Sequence, residues 1–136
     1  VHAIYEHVDV AIAAAAVADY KPAIIAGQKI KKNEGAMSID LVETQDILLA
    51  MGERKKHQYL VGFALETENE VANAKKKLLK KNLDAIVLNS LNDKGAGFKT
   101  KTNKITFITK DTVTPHDLKL KEEVAEDILS AILAKM

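Results

Sequence analysis

The residues best suited to chemistry follow three apolar runs of the chain. Asp19 and Tyr20 follow the first run, Glu66 and Thr67 follow the second, and Asn89 follows the third. Each run reads as a buried strand, and in open α/β sheets ligands bind beyond the carboxyl ends of the parallel strands. We therefore expect acidic, amide and hydroxyl side chains to meet at one edge of a sheet. With the lysines that follow the first run, this set suits a phosphate-bearing ligand and a metal ion.

Lysines occur in two places where they are suited to bind an anion. One is the loop segment 29–32 (KIKK), and the other is the pair Lys77 and Lys81. The pair is four residues apart on a predicted helix and so shares one face, where two like charges cost stability unless an anion offsets them. Charge runs are more often simply solvated, and Asp19 ahead of Pro22 is also typical of a turn. The residues alone leave both explanations open.

A small set of strands and helices must position these side chains. The runs 8–16, 59–65 and 83–88 are continuous apolar segments of strand length, as expected for strands covered on both faces. A helix at 69–82 joins the second run to the third, and such a crossover gives parallel strands. Further strands are predicted at 37–42, 105–109 and 112–115, and further helices at 1–6, 45–55 and 121–135.

These elements predict one α/β domain over residues 1–136. The expected fold is a Rossmann-like parallel sheet with helices on both faces and an appended antiparallel hairpin or strand region. Thr44 is predicted to cap the helix at 45–55. In the helix at 69–82, the residues expected to face the sheet are Val71, Ala74, Leu78 and Leu79.

Composition narrows the class of protein. The chain has 136 residues, 47% of them apolar and 29% charged, with a formal net charge of +1. A net charge this small argues against general binding to nucleic acid or membrane, and the longest apolar run, 8–18, is too short to cross a bilayer. The absence of cysteine excludes disulfides and thiolate chemistry and fits a cytoplasmic location. The four histidines are scattered, and neither a P-loop nor a GxGxxG motif occurs.

Five motifs in register carry a resemblance to a known family. They are AAAVADYKP (14–22) with KIKK (29–32), TQDIL (44–48), VGFALET (61–67), KKNLDAIVLN (80–89), and GF (97–98) followed by Asn103. In this order the chain resembles the phosphopantothenoylcysteine synthetase family, and the motifs cover nearly all of it. In bacteria this activity is commonly fused to a flavin-dependent decarboxylase, in proteins often called DNA/pantothenate metabolism flavoproteins.

The resemblance implies a two-step amide ligation in coenzyme A biosynthesis. The carboxylate of 4′-phosphopantothenate attacks the α-phosphate of CTP, or of ATP in some related enzymes, which gives an acyl-nucleotide and pyrophosphate. The amine of cysteine then displaces the nucleoside monophosphate. The protein's contribution would be positioning and charge stabilisation. Mg²⁺ is expected with the triphosphate, and no flavin is expected in this chain.

The resemblance also assigns roles residue by residue. Lys29 matches the lysine that stabilises phosphate charge during activation, and Phe63 matches an aromatic that stacks on the base. The small side chains of 13–15 match a backbone segment that approaches the nucleotide. Gln45 stands where the family often has proline. The residues matched to nucleotide contacts are Ala13, Ala14, Ala15, Asp19, Lys29, Gln45, Asp46, Ile47, Leu48, Phe63, Lys77 and Lys81.

The family's N-terminal half has no counterpart in this sequence. That half carries the first strands, a glycine-rich phosphate loop and an asparagine that handles the acyl-nucleotide. We therefore expect this chain alone to bind nucleotide weakly and not to complete the ligation. The expected partners are a second copy of the chain, with contacts near 37–42 or 104–115, and a fused or separate decarboxylase domain. The alternatives are a non-catalytic nucleotide-binding module and a flavoprotein-related domain.

Overall fold

The computed structural model of the chain describes residues 1–31, 35–90, 92–93 and 100–136, with the backbone alone at His2. Within these ranges the elements follow in the order α1 (His2–Tyr5), β1 (Val10–Ala13), β2 (Tyr20–Pro22), β3 (Leu41–Glu43), α2 (Ile47–Arg54), β4 (Tyr59–Glu66), α3 (Glu70–Lys80), β5 (Ala85–Ser90), β6 (Thr102–Asn103), β7 (Ile105–Thr109), β8 (Val113–Pro115), β9 (Lys119–Leu120) and α4 (Lys121–Leu133). The GF motif at 97–98 and Lys32 lie outside the described residues.

The chain separates into two compact units. The core unit consists of Val1–Ala14 and Leu48–Met136, and the ribbon unit consists of Ala15–Ile47. The ribbon unit contains β2 and β3, which pair antiparallel. The core unit contains a five-stranded sheet in the order β1-β4-β5-β7-β8, and β6 and β9 form a small antiparallel pair.

The core sheet is parallel at one side and antiparallel at the other. β1 pairs parallel with β4, and β4 pairs parallel with β5, whereas β7 runs antiparallel to both β5 and β8. Ala13, Glu66 and Ser90 are the last residues of the three parallel strands. These strands therefore end at the same side, which we call the carboxyl edge. The predicted α/β fold with a parallel core and an antiparallel hairpin is confirmed.

The strands β4 and β5 form because most of their side chains are buried against apolar neighbours. Four of the eight residues of β4 and four of the six residues of β5 are buried, which is the pattern of parallel strands packed on both faces. On one face, Val61, Val87 and Phe107 pack against Ile128 and Ile132 of α4. We call this the α4 face.

The opposite face is covered by α2 and α3, and we call it the α3 face. A Cβ atom at Gly62 of β4 would come within 2.8 Å of both Leu48 Cδ2 and Leu83 Cδ1, so a larger residue there would require these two leucine side chains to shift. The buried residues of α3 are Ala74 and Leu78. Val71 and Leu79, which were expected to face the sheet, are 40% and 65% exposed. The expectation was wrong for these two residues, because α3 contacts the sheet mainly through residues spaced four apart, Ala74 and Leu78.

The opposite end of the sheet, at the start of β4 and β5, is fixed by an ion pair. Lys55 Nζ lies 2.9 Å from Asp84 Oδ2, which also accepts a hydrogen bond of 2.7 Å from the Leu60 amide. The buried Gln58 side chain donates to the carbonyl of Tyr5. Desolvation and the charge of Asp84 raise the pKa of the Tyr5 phenol. These contacts hold α1 and the strand starts together.

Most predicted elements are present, with different ends. β1 and β3 are shorter than the predicted strands at 8–16 and 37–42. The strands β2, β6 and β9 were not predicted, because two or three residues are too few for a periodic pattern. Thr44 does not cap a helix: its hydroxyl donates to the carbonyl of Ala18 at 2.6 Å. In the described ranges, no helix has the length and apolar character needed to span a membrane.

Candidate functional site at the carboxyl edge

An ion pair between Glu66 and Lys77 lies at the carboxyl edge. Lys77 Nζ of α3 is 2.6 Å from Glu66 Oε1, which is an ion pair by distance although its angle is not that of a hydrogen bond. The Glu66 side chain is 13% exposed and that of Lys77 is 47% exposed. Asn73 Nδ2 approaches Glu66 Oε2 at 3.5 Å and donates to the Glu68 carbonyl at 2.8 Å. The last side chain of β4 is therefore held by α3.

A second carboxylate joins the segments that follow β4 and β5. Glu70 Oε1, at the start of α3, accepts hydrogen bonds from Ser90 Oγ at 2.5 Å and from Asn92 Nδ2 at 3.0 Å. Asn92 Nδ2 also donates to the Thr67 carbonyl at 3.0 Å. The chain leaving β5 is thereby tied to the beginning of α3. The negative charge of Glu70 is also favourable in the first turn of α3, because a helix N-terminus carries a partial positive charge.

Two further polar pairs lie beside the end of β5. Asn103 Nδ2 of β6 donates to Asn89 Oδ1 at 2.9 Å. Lys104 Nζ donates to Asp93 Oδ1 at 2.8 Å, and this hydrogen bond is the main reason that the pKa of Lys104 is raised. Asp93 is thereby tied to Lys104, and Asn89 to Asn103.

Together these groups make the carboxyl edge polar and nearly balanced in charge. Glu66 and Asp93 each face a lysine, and Glu70 faces hydroxyl and amide donors. No group of three His, Cys, Asp or Glu residues suited to hold a metal occurs among the described residues. Lysines, amides and hydroxyls are the donors that phosphate oxygens accept from. Binding of a phosphorylated ligand at this edge stays a prediction of the sequence, since these donors already face protein carboxylates.

Six of the predicted site residues lie in the core unit, and they are not all adjacent. Phe63 packs against the apolar cluster on the α4 face, whereas Glu66, three residues later, faces α3 together with Lys77. Phe63 and Lys77 therefore lie on opposite faces of the sheet. Lys81 follows the last residue of α3, and its carbonyl lies against Gly52 of α2, at the helix end away from the carboxyl edge. The remaining three predicted site residues in the core unit are Ala13, Ala14 and Leu48.

The other six predicted residues belong to the ribbon unit. The Thr44 amide donates to the Asp19 carbonyl at 2.8 Å, so the pairing of β2 with β3 brings Asp19 close to the start of Gln45–Ile47. Lys29 lies in an exposed, irregular segment between the two strands. The six residues are Ala15, Asp19, Lys29, Gln45, Asp46 and Ile47.

Several polar residues at the carboxyl edge had no predicted role. Glu66 and Asn89 were recognised only as residues that follow strands. Glu70, Asn73 and Lys104 carried no sequence signal beyond lying in an amphipathic helix or next to a strand. Their side-chain partners are 7 to 22 residues away, as between Asn73 and Glu66 or Asn92 and Glu70, and only the fold brings them together.

A separate polar cluster lies between α4 and the β7–β8 hairpin. Asp127 Oδ2 accepts from Lys119 Nζ at 2.7 Å and lies 3.2 Å from His116 Nδ1. The hydrogen bond from Lys119 is the main cause that lowers the pKa of Asp127. A cavity of about 440 Å³ next to it has Phe107 and Ala131 in its lining. None of the predicted nucleotide residues lines this cavity.

The chain matches a known protein family over its whole length. The family model for the DNA/pantothenate metabolism flavoprotein C-terminal domain matches residues 1–136. The chain is 47% identical over 108 residues to the coenzyme A biosynthesis bifunctional protein CoaBC of Bacillus subtilis (strain 168), which covers 79% of this chain and 27% of that protein. It is 41% identical over 132 residues to the CoaBC protein of Borreliella burgdorferi, with coverage of 95% and 33%.

A relative with a different name is also similar. The chain is 52% identical over 131 residues to a "Cysteine/Cysteine sulfinic acid decarboxylase" from an unknown prokaryotic organism, with coverage of 95% of this chain and 36% of that protein. The chain thus spans between 27% and 36% of the length of these three relatives.

Solved structures agree with the fold. The crystal structure of the C-terminal domain of a CoaBC protein superposes with a TM-score of 0.77 at 40% sequence identity, covering 98% of this chain and 60% of that chain. The DNA/pantothenate metabolism flavoprotein from Streptococcus pneumoniae superposes with a TM-score of 0.77 at 24% identity, covering 97% and 66%. The second likeness supports the fold alone.

Proposed function

Because the chain belongs to the family of DNA/pantothenate metabolism flavoprotein C-terminal domains, we propose that it serves coenzyme A biosynthesis as the nucleotide-binding half of a phosphopantothenate–cysteine ligase. In the proposed reaction, 4′-phosphopantothenate is activated by CTP, or by ATP, and the acyl-nucleotide is then captured by the amine of cysteine. The observation that carries the proposal is the match of the whole chain to this family, with the motifs of the nucleotide site in order.

The carboxyl edge supports a nucleotide as the ligand. Lys77 is half exposed there, and Ser90 and Asn92 supply hydroxyl and amide groups at the same edge, bound to Glu70. The partly buried ring of Phe63 is proposed to supply a stacking surface for the base. Asp19 and Lys29 of the ribbon unit are proposed to contact the nucleotide as well, with Lys29 stabilising charge on the reacting phosphate.

Mg²⁺ would accompany the triphosphate in this proposal. Mg²⁺ is usually held through one or two carboxylates together with substrate phosphates and water. The carboxylates of Glu66 and Glu70 already accept protein donors, so this chain fits an ion carried by the nucleotide better than one held in a protein cage. Bound in this way, the ion would neutralise phosphate charge.

A homodimer formed through the ribbon unit is part of the proposal. The ribbon unit exposes many apolar side chains, including Ile24 at 85%, Ile25 at 88%, Met37 at 66% and Leu41 at 57%. Large exposed apolar patches usually mark interaction sites, and we propose that these side chains form such a patch. Two short antiparallel strands are also marginal by themselves in water. A second copy of the chain is the partner that we propose for this surface.

A chimeric enzyme tests the proposed activity. This chain would replace the matching segment of the Bacillus subtilis CoaBC protein, to which it is 47% identical. We expect the chimera to form phosphopantothenoylcysteine with release of pyrophosphate, whereas the chain alone should bind CTP weakly and form no product. A folded chimera that makes no product, beside an active parent, would contradict the proposal.

Cysteine decarboxylation is a second candidate, favoured by the 52% identity to the relative of that name. Incubation of the chain with ¹³C-labelled cysteine would give labelled CO₂ and cysteamine if this candidate is correct. Titrations with CTP, ATP and FMN separate the remaining alternatives. Binding of FMN without binding of CTP or ATP would favour a flavoprotein-related domain over the ligase.

A further inference from the structure

Glu66 is a carboxylate that is mostly removed from water and faces one cation. Its side chain is 13% exposed, its Oε1 atom is inaccessible to solvent, and that atom lies 2.6 Å from Lys77 Nζ. A buried carboxylate is costly unless a cation or hydrogen-bond donors compensate it. Because Asn73 approaches the other oxygen only at 3.5 Å, Lys77 is the main compensation for this charge.

The contact also determines where the Lys77 ammonium lies. Lys77 is seven residues from the start of α3, so its backbone is about 10 Å along the helix from the carboxyl edge. Lysine side chains in helices lean toward the helix N-terminus, and Glu66 is the last residue of β4. The ion pair therefore draws the ammonium toward the strand ends, where a ligand of an open α/β sheet binds.

The carboxylate is itself held in position by the turn between β4 and α3. Asn73 donates to the Glu68 carbonyl at 2.8 Å while it approaches Glu66 Oε2. With Oε1 inaccessible to solvent, Glu66 is poorly placed to meet a ligand or a metal ion directly. It can act on a ligand through Lys77, whose side chain is 47% exposed.

We propose that Glu66 is a positioning residue of the nucleotide site, which holds the ammonium of Lys77 at the carboxyl edge so that it contacts a nucleotide phosphate. This inference rests on the proposed nucleotide-binding function. The opposite role is also physically possible, because a carboxylate next to Lys77 competes with a phosphate for the same ammonium. The two roles predict opposite signs for the effect of removing the charge of Glu66.

The test is a titration of the ¹⁵N-labelled chain with CTP in Mg²⁺, followed by NMR, with ATP as a second ligand. We expect Glu66→Gln to weaken CTP binding by about tenfold, the usual effect of losing one charge-assisted contact. Glu66→Asp keeps the charge and should retain affinity within about threefold. Lys77→Met should weaken binding about as much as Glu66→Gln does.

A double-mutant cycle separates positioning from general damage to the fold. If Glu66 acts through Lys77, Glu66→Gln has no further effect on CTP affinity in a Lys77→Met background. Asp127→Asn is the matched control, because Asp127 also faces a lysine at 2.7 Å but belongs to the separate cluster on α4. Its CTP affinity should equal that of the unaltered chain. Thermal unfolding of every variant records stability independently of binding.

The outcomes distinguish this inference from the proposed function. Unchanged or tighter binding by Glu66→Gln, or an effect that adds to that of Lys77→Met, would overturn the positioning role while the nucleotide site stands. If neither CTP nor ATP shifts any resonance of the unaltered chain, the proposed function fails and this inference fails with it. If Glu66→Gln does not fold, Glu66→Asp takes its place in the cycle. Its smaller loss of CTP affinity must then disappear in the Lys77→Met background, and a loss that persists there would overturn the positioning role.

Discussion

At the scale of single residues, Lys29 is the side chain proposed to act on the reacting phosphate. It lies in the exposed segment between β2 and β3, where a solvated lysine contributes little to stability. We therefore expect Lys29→Ala to leave thermal unfolding unchanged, to weaken CTP binding by about tenfold and to lower turnover in the chimeric ligase.

Lys110 provides the control for this substitution, since it is an exposed lysine in the β7–β8 turn. Lys110→Ala should leave affinity and turnover as they are. If Lys29→Ala behaves like Lys110→Ala in both measurements, the role given to Lys29 is wrong.

Tyr5 carries a buried hydroxyl that finds no hydrogen-bond partner in the described part of the chain. The residue is 2% exposed, so this hydroxyl has lost its water without compensation. We expect Tyr5→Phe to be neutral or to stabilise the fold by about 1 kcal/mol at pH 7, measured by urea unfolding.

The pH dependence of the same variant follows from the raised pKa of Tyr5. Because the fold favours the neutral phenol, its contribution is complete below the ordinary pKa of 10.0 and is lost as the pH rises through the higher folded value. Tyr5→Phe should therefore lose less stability than the unaltered chain in this alkaline range. An equal loss in both would show that Tyr5 does not carry the effect, and Tyr59, whose pKa is also raised, would be the next candidate.

At the scale of elements, the contact between α2 and the end of α3 depends on one glycine. A Cβ atom at Gly52 would lie 1.9 Å from the Lys81 carbonyl oxygen, and Asn82 Nδ2 donates to the Gly52 carbonyl at 2.9 Å. Gly52→Ala forces backbone to move, and we expect it to destabilise the chain by about 2 to 3 kcal/mol in urea unfolding. The higher helix propensity of alanine, about 1 kcal/mol, opposes this loss.

Gly27 offers a matched comparison within the same chain. A Cβ atom there meets nothing within 4 Å, and its backbone is not in the left-handed region. Gly27→Ala should change the free energy of unfolding by less than about 0.5 kcal/mol. If both substitutions change the free energy of unfolding equally, Gly52 of α2 does not pack as closely against the Lys81 carbonyl as described above.

The sequence predicted elements where apolar residues are continuous and failed where they are few. The strands predicted at 59–65 and 83–88 correspond to β4 and β5, and they were recognisable because both faces of these strands are buried. The motifs around them identified the family. The strand β2 was missed because it has only three residues and ends at Pro22, a residue that usually interrupts strands. Side-chain pairs such as Glu66 with Lys77 could not be predicted, because the path of α3 over the sheet determines them.

At the scale of the whole molecule, the ribbon unit controls the proposed assembly. Ile25 is 88% exposed in this unit, and a serine there would remove apolar area from the proposed dimer contact without touching the core. We expect Ile25→Ser to shift the chain from dimer toward monomer in analytical ultracentrifugation.

Leu133 is the corresponding control, because it is an apolar side chain that is 72% exposed on α4. Leu133→Ser should leave the sedimentation coefficient unchanged. If Ile25→Ser leaves the dimer intact and Leu133→Ser dissociates it, the interface lies on α4 and the proposal for the ribbon unit is wrong.

The order of strands in the core sheet also bears on how the chain behaves in concentrated solution. One outer strand is β8, which is three residues long and ends at Pro115, a residue with no amide hydrogen to offer a neighbour. The other is β1, with the sequence VAIA and with Ile12 40% exposed. Unwanted pairing between molecules should therefore begin at β1, and a lysine in place of Ile12 is the substitution to choose when solubility limits an experiment.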